Sequence, residues 1–181
     1  MSGLPNPYDH WATCGIGSTV TTEEISETTI DFGVLRNVTV TKDTLVGLDA
    51  EKATLQIHVQ GAANGAPFEV KHTVEIPARP PKEPAVQRQS GGDDNASWEV
   101  TIMTDEEFFK GSAPKESTET LEVAGRSLVC RRIERSTTLH GEPLGEIVWW
   151  SDEVPGGVVR MEGRMGTGHV TKTTVTAFEK K

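Results

Sequence analysis

Two tryptophans stand side by side at Trp149 and Trp150, near the end of a strand-like run from Leu144 to Ser151. In a strand, successive side chains point to opposite faces, so this pair needs large apolar partners on both sides of one sheet. Just beyond it, Val154–Pro155–Gly156–Gly157 makes a corner. Proline has no donor for the ladder, and the two glycines allow a bend or a positive φ before Val158 resumes pairing. A chain with this feature folds as antiparallel strands joined at a sharp turn.

The remaining pattern agrees. Leu55, Ile57 and Val59 alternate with Gln56, His58 and Gln60; Phe68, Val70, His72, Val74 and Ile76 alternate with Glu69, Lys71, Thr73 and Glu75. The Gly/Asn-containing connector Gly61–Ala66 turns one run back on the other, giving a hairpin with one core face and one wet face. Val38, Val40 and Val46 share a face in the looser run Val34–Leu48. After a short strand at Trp98–Met103, further strands are expected at Lys115–Val123, Ser127–Ser136, Leu144–Ser151, Gly157–Arg164 and His169–Phe178, with turn residues between them. Asn6–Trp11 has the prolines and capping residue of one helical turn, and Asp105–Phe109 opens like another. The expected fold class is mainly β: a strongly curved antiparallel sheet or half-barrel meander, with one or two short helical segments covering the concave face. Residues 1–181 read as a single β-rich domain. Its Pro/Gly-rich stretch at about 77–97 is expected to be a mobile loop, because prolines and a Gly-Gly-Asp-Asp run offer a ladder neither donors nor apolar surface.

Composition limits what the chain binds. At 181 residues it can bury a core without disulfide staples. Cys14 and Cys130 match no zinc or redox spacing and are expected to be free, buried small side chains. Twenty-seven acidic against eighteen basic residues give a formal charge of −9, a surface that repels phosphate backbones, so no nucleic-acid partner is expected. Arg131, Arg132 and Arg135 read as strand residues with solvated heads. No apolar run approaches the ~20 residues that cross a bilayer, so no integral membrane segment is expected. The opening MSGLPNPYDHW lacks a basic n-region and an apolar h-region. The expected location is cytoplasmic as written, and periplasmic or envelope if a leader has been removed.

Catalytic motifs fail on inspection. Gly15–Ile16–Gly17 has Val20 where a dinucleotide loop needs its third glycine, and no P-loop, G-x-S-x-G, H-E-x-x-H or C-x-x-C occurs. Asp105–Glu106–Glu107 and Asp152–Glu153 read as a helix first turn and a solvated corner. The histidines lack paired spacing, so neither a metal nor a cofactor is expected. His72 stands out on the apolar face of its strand; a hydrogen-bonded core histidine is the ordinary outcome and a ligand contact the functional one. One of Trp149 and Trp150 can anchor the core. The other is covered by the Trp11 segment or the Phe108–Phe109 segment, or forms an aromatic wall for an apolar ligand.

Gly125, Leu128 and Cys130, followed by Trp150 and Val154–Pro155–Gly156–Gly157–Val158–Val159, resemble a pattern in a class of bacterial envelope-type proteins. Asn6–Pro7–Tyr8 with Gly17 is similar to their opening. Their fold is similar to the LolA/LolB-type lipoprotein carriers. The resemblance implies a strongly curved sheet with helical segments across its concave side, and supplies no catalytic residues.

The function expected from these readings is non-enzymatic. An apolar or amphipathic ligand such as a lipid, or a lipoprotein-like protein partner, would be held on the concave face by Trp149, Trp150, His72, Phe68, Phe108 and Phe109. One alternative is a structural or protein-interaction module with a filled core. The other is a hydrolase-like enzyme in a lipocalin-like barrel, with Asp/Glu and His as acid and base.

Overall fold

The computed structural model describes residues 6–63, 65–79, 86–90, 97–101, 109, 113–139 and 141–181. Among these residues, one helix, α1 (Pro7–Trp11), precedes eleven strands: β1 (Thr19–Ile30), β2 (Gly33–Leu48), β3 (Lys52–Ala63), β4 (Ala66–Pro77), β5 (Val86–Ser90), β6 (Ser97–Thr101), β7 (Lys115–Val123), β8 (Arg126–Leu139), β9 (Glu142–Trp150), β10 (Val158–Met165) and β11 (His169–Glu179). Nine of them form one open, curved antiparallel sheet in the order β4-β3-β2-β1-β11-β10-β9-β8-β7. The mainly-β expectation is met, and the chain closes the middle of its sheet by pairing β1 with β11.

Curvature follows from where the ladder is irregular. Bulges interrupt the pairing at Thr21/Thr22, Leu45/Gly47 and Val158/Arg160, all toward one end of the sheet, which we call the base. Each extra residue bends its strand and increases local twist. In a flat sheet β11 and β7, four places apart, would be separated by about 19 Å. They approach within 8 Å between Cα atoms, and the Arg126 guanidinium lies 4.8 Å above the Phe178 ring. The sheet therefore curls on itself at the base. There Val20, Leu45, Leu55 and Val175 from one half join Val123, Leu128, Cys130 and Trp149 from the other in a single core. Ile133, Val148 and Trp150, with Val158 and Met161, form a second cluster. Trp149 and Trp150 thus bury on opposite faces of β9, as strand geometry requires.

The base is closed by α1. Asn6 caps it, accepting from the Tyr8 amide at 3.1 Å, and Pro7 supplies the preset φ of a first helical residue. Asn6 also donates to the Ala78 carbonyl at 3.0 Å, and the Tyr8 hydroxyl donates to the Asp49 carbonyl at 2.7 Å. Trp11 enters the main core and the His10 ring lies 5.1 Å from that of Trp150. So the N-terminal segment does cover the second tryptophan, with His10 rather than Trp11. Gly156 and Gly157 both take positive φ, at +77° and +82°, and a Cβ on Gly157 would stand 2.5 Å from the Trp150 ring. The corner is glycine so that two rings can close over it.

Two local readings shift. The buried side chain of β2 is Leu45, paired with Leu55, whereas Val46 is 45% exposed; the core selects the parity that β3 completes. Val86–Ser90, inside the stretch read as a loop, pairs with Ser97–Thr101 in a separate two-stranded ladder. All four prolines of that stretch precede Val86, so its amides are free to donate. The remainder of the expected loop, and most of the expected Asp105–Phe109 turn, lie outside the described residues. Cys14 and Cys130 are free and buried, as expected.

Gly125 also has positive φ, but a Cβ there meets nothing within 4 Å. Gly125→Ala should therefore lower stability by about 1 kcal/mol through backbone strain alone. Gly157→Ala adds the collision with Trp150 and His10 and should lower it by about 3 kcal/mol or more, roughly a 6–12 °C drop in Tm. Equal losses measured by thermal unfolding would show that the corner is not sealed by those rings.

Candidate functional site

Away from the base the sheet opens. Along β4 the inward row runs from half-buried Ile76, Val74 and His72 to exposed Val70 and Phe68. Across the sheet, an apolar cleft of about 350 Å³ lies over β9, β10 and β11. Its walls include Leu144, Met161 and Met165, with Phe109 above them. The register explains the hollow. Gly163 sits on β10 between Glu146 of β9 and Thr171 of β11, and a Cβ there would meet nothing within 4 Å. Two methionines, at Met161 and Met165, flank this missing side chain on the same face of the strand.

Polar groups at the rim are held in place. His169 Nδ1 lies 3.0 Å from the Thr28 hydroxyl and its Nε2 lies 3.1 Å from that of Thr171, so both ring nitrogens are engaged. The Arg135 guanidinium stands 5.4 Å from the centre of the Phe109 ring and ties that residue to β8. Flexible thioethers and an aromatic ring over a glycine floor can accommodate an apolar chain of variable shape.

Of the residues expected to form a site, Phe109 lines this cleft. Trp149 and Trp150 are each 5% exposed, in the two clusters below it. The Trp149 ring lies between the guanidinium groups of Arg132 and Arg160, and its Nε1 donates to Glu119. Phe68 and His72 lie on β4, four places from β11 in strand order, a distance of about 19 Å if flat. The Phe68 ring covers Gly61, where a Cβ would come within 2.9 Å of it. Phe108 lies outside the described residues. Sequence reasoning missed Leu144, Met161, Gly163, Met165 and His169. The signal was present in the Met-x-Gly-x-Met spacing of β10, which places two adaptable side chains around a gap.

A polar pair lies nearer the base. Asp43 and His72 face the same side through Ile57, which pairs with both. Asp43 Oδ1 and His72 Nδ1 are buried and have no hydrogen-bond partner among the described residues. Burial pushes the Asp43 carboxyl up to about 6, with His72 pulling partly in the other direction.

No family model and no curated protein matches the sequence. Among solved structures, the chain is similar to a Bacteroides fragilis protein with a YmcC-like fold, at 12% identity and a TM-score of 0.46, over 93% of this chain and 98% of the other. It is also similar to a DUF1329 family protein from Desulfovibrio piger, at 13% identity and 0.31, over 97% and 92%. A Vibrio parahaemolyticus domain named for outer membrane lipoprotein sorting follows, at 11% identity and 0.25, over 96% and 89%. Scores below 0.5 leave function to be read from the site itself.

Asp43 makes stability pH-dependent in a defined direction. Between about pH 4 and 6 Asp43 keeps in the folded state a proton that the unfolded chain has released, so its contribution lowers stability as pH rises through that window and is constant above it. Asp43→Asn should gain up to about 3 kcal/mol over the native protein at pH 7.5, and little near pH 4. Urea denaturation at both pH values tests this; a gain independent of pH would mean that Asp43 does not titrate as its burial requires.

Proposed function

We propose that this protein is a non-enzymatic binding protein that holds an apolar or amphipathic molecule on the open part of its curved sheet. The observation that carries the reading is the cleft over Gly163, a hollow walled by Leu144, Met161, Met165 and Phe109 on the part of the sheet that lies beyond the packed base. A small number of fixed polar groups at its edge, chiefly His169 and Thr171, would orient the polar end of such a ligand. Phe109 is the member of the expected aromatic set that enters this reading. The two tryptophans would act beneath it as its support.

The filled-core interaction module is favoured by one specific observation. Both tryptophans, the most obvious candidates for an aromatic wall, are consumed by packing. On that reading the cleft is a shallow feature of a surface that binds protein.

Titration with cis-parinaric acid, together with native mass spectrometry and solvent extraction of the purified protein, separates the two. Saturable fluorescence enhancement, or an extractable apolar mass, is expected. Gly163→Leu starts from a Cβ that meets nothing within 4 Å and fills the hollow beyond it, and should weaken probe binding about tenfold or more while leaving Tm within a few degrees. Saturable binding that Gly163→Leu leaves intact would place the ligand elsewhere. No saturable binding at all would leave the interaction module as the better account.

A further inference from the structure

The hairpin joining β1 and β2 outruns both of its neighbours. β11 pairs with β1 no further than Thr28, and β3 pairs with β2 no further than Thr39, so Ile30–Leu35 has no flanking strand among the described residues. This tip is apolar where it is most exposed: Phe32 is 96% exposed, Val34 61%, Leu35 56% and Ile30 40%. Among the described residues, none of this finger belongs to either core cluster. It stands directly beside the cleft, because Thr28 pairs with Leu35 on one side and with cleft-lining His169 on the other.

We propose that the occupant of this surface is a second copy of the chain, each copy seating Phe32 of its finger in the other's cleft over Gly163. Finger and cleft lie at the same end of the sheet, so two copies meeting end to end exchange them reciprocally about a two-fold axis and close as a dimer. Their chemistry is complementary. Phe32 meets Met161, Met165 and Leu144, the apolar side chains that wall the cleft. The area also suffices. Ile30, Phe32, Leu35 and Met165 present on the order of 450 Å² of apolar side chain, taking about 150–250 Å² for each when free. Since interfaces are a little over half apolar, such a contact would cover about 800 Å² per copy, the size of a specific pair. The inference uses the cleft of the reading above but does not need its ligand. An apolar ligand would compete with the finger.

Sedimentation velocity across a concentration series tests it on the native chain and on Phe32→Ser. A concentration-dependent dimer is expected for the native chain. Phe32→Ser should raise its dissociation constant about tenfold or more. A native chain that stays monomeric throughout, a dimer indifferent to Phe32→Ser, or an open-ended polymer would overturn the exchange. Phe32 is solvated at a turn, so its replacement leaves the core untouched. Titrating the monomeric Phe32→Ser protein with cis-parinaric acid keeps the two ideas apart: retained binding leaves the ligand reading standing whatever the dimer does.

Discussion

Burial of Trp149 and Trp150 on opposite faces of β9 is the constraint on which the rest of the structure depends. Each indole removes about 150–250 Å² from water, an upper-bound stabilisation of roughly 4–6 kcal/mol apiece. Neither face of β8–β10 can then stay wet at the base. One side is met by the curled sheet, through Leu128, Cys130 and Val159 in the main core. The other is met by α1, whose His10 lies on Trp150. The corner at Gly156–Gly157 is where these demands coincide, because any side chain there would displace a ring.

Satisfying the base leaves the far end underdetermined, and the proposed function rests on that asymmetry. The bulges at Thr21, Leu45 and Val158 tighten one end, and strands that diverge from it carry apolar residues with nothing to cover them. Phe68 and Val70 on the edge strand β4, Met165 and Leu144 on the interior strands β10 and β9, and Phe32 at the protruding tip all belong to this open end. Between them the inward face is rich in hydroxyl side chains, including Thr22, Thr39, Thr41, Thr171 and Thr173. The cleft over Gly163 is thus a local apolar basin bordered by polar strand residues, a form suited to an amphipathic ligand.

Polar groups in the base are arranged unequally. Trp149 has its donor satisfied by Glu119, and its ring is flanked by Arg132 and Arg160, so a polar network stiffens one side of the sheet. On the other side, Asp43 and His72 share an apolar neighbourhood without hydrogen-bond partners at Oδ1 and Nδ1. An uncompensated carboxylate there holds its proton more tightly than in water, which ties the stability of the β2–β4 half to mild acidity.

Much of this was legible in the sequence. Period-two alternation placed the β3–β4 hairpin, adjacency of two tryptophans fixed their opposite faces, and Val-Pro-Gly-Gly located the corner, because these are consequences of local backbone geometry. What the tertiary structure decided is which apolar residues remain unburied. Trp149 and Trp150 look like a ligand wall in the sequence and are packing in the fold, since the curl of a nine-stranded sheet brings β7–β9 against β1–β4 through contacts far apart in the chain. Met161, Gly163 and Met165 look like an ordinary strand and become the floor of the cleft, since a glycine makes a hollow only when its cross-strand neighbours and the cover above it are in place. Periodicity tells a strand which face is inward. Only the closure of the sheet tells it how much of that face will be covered.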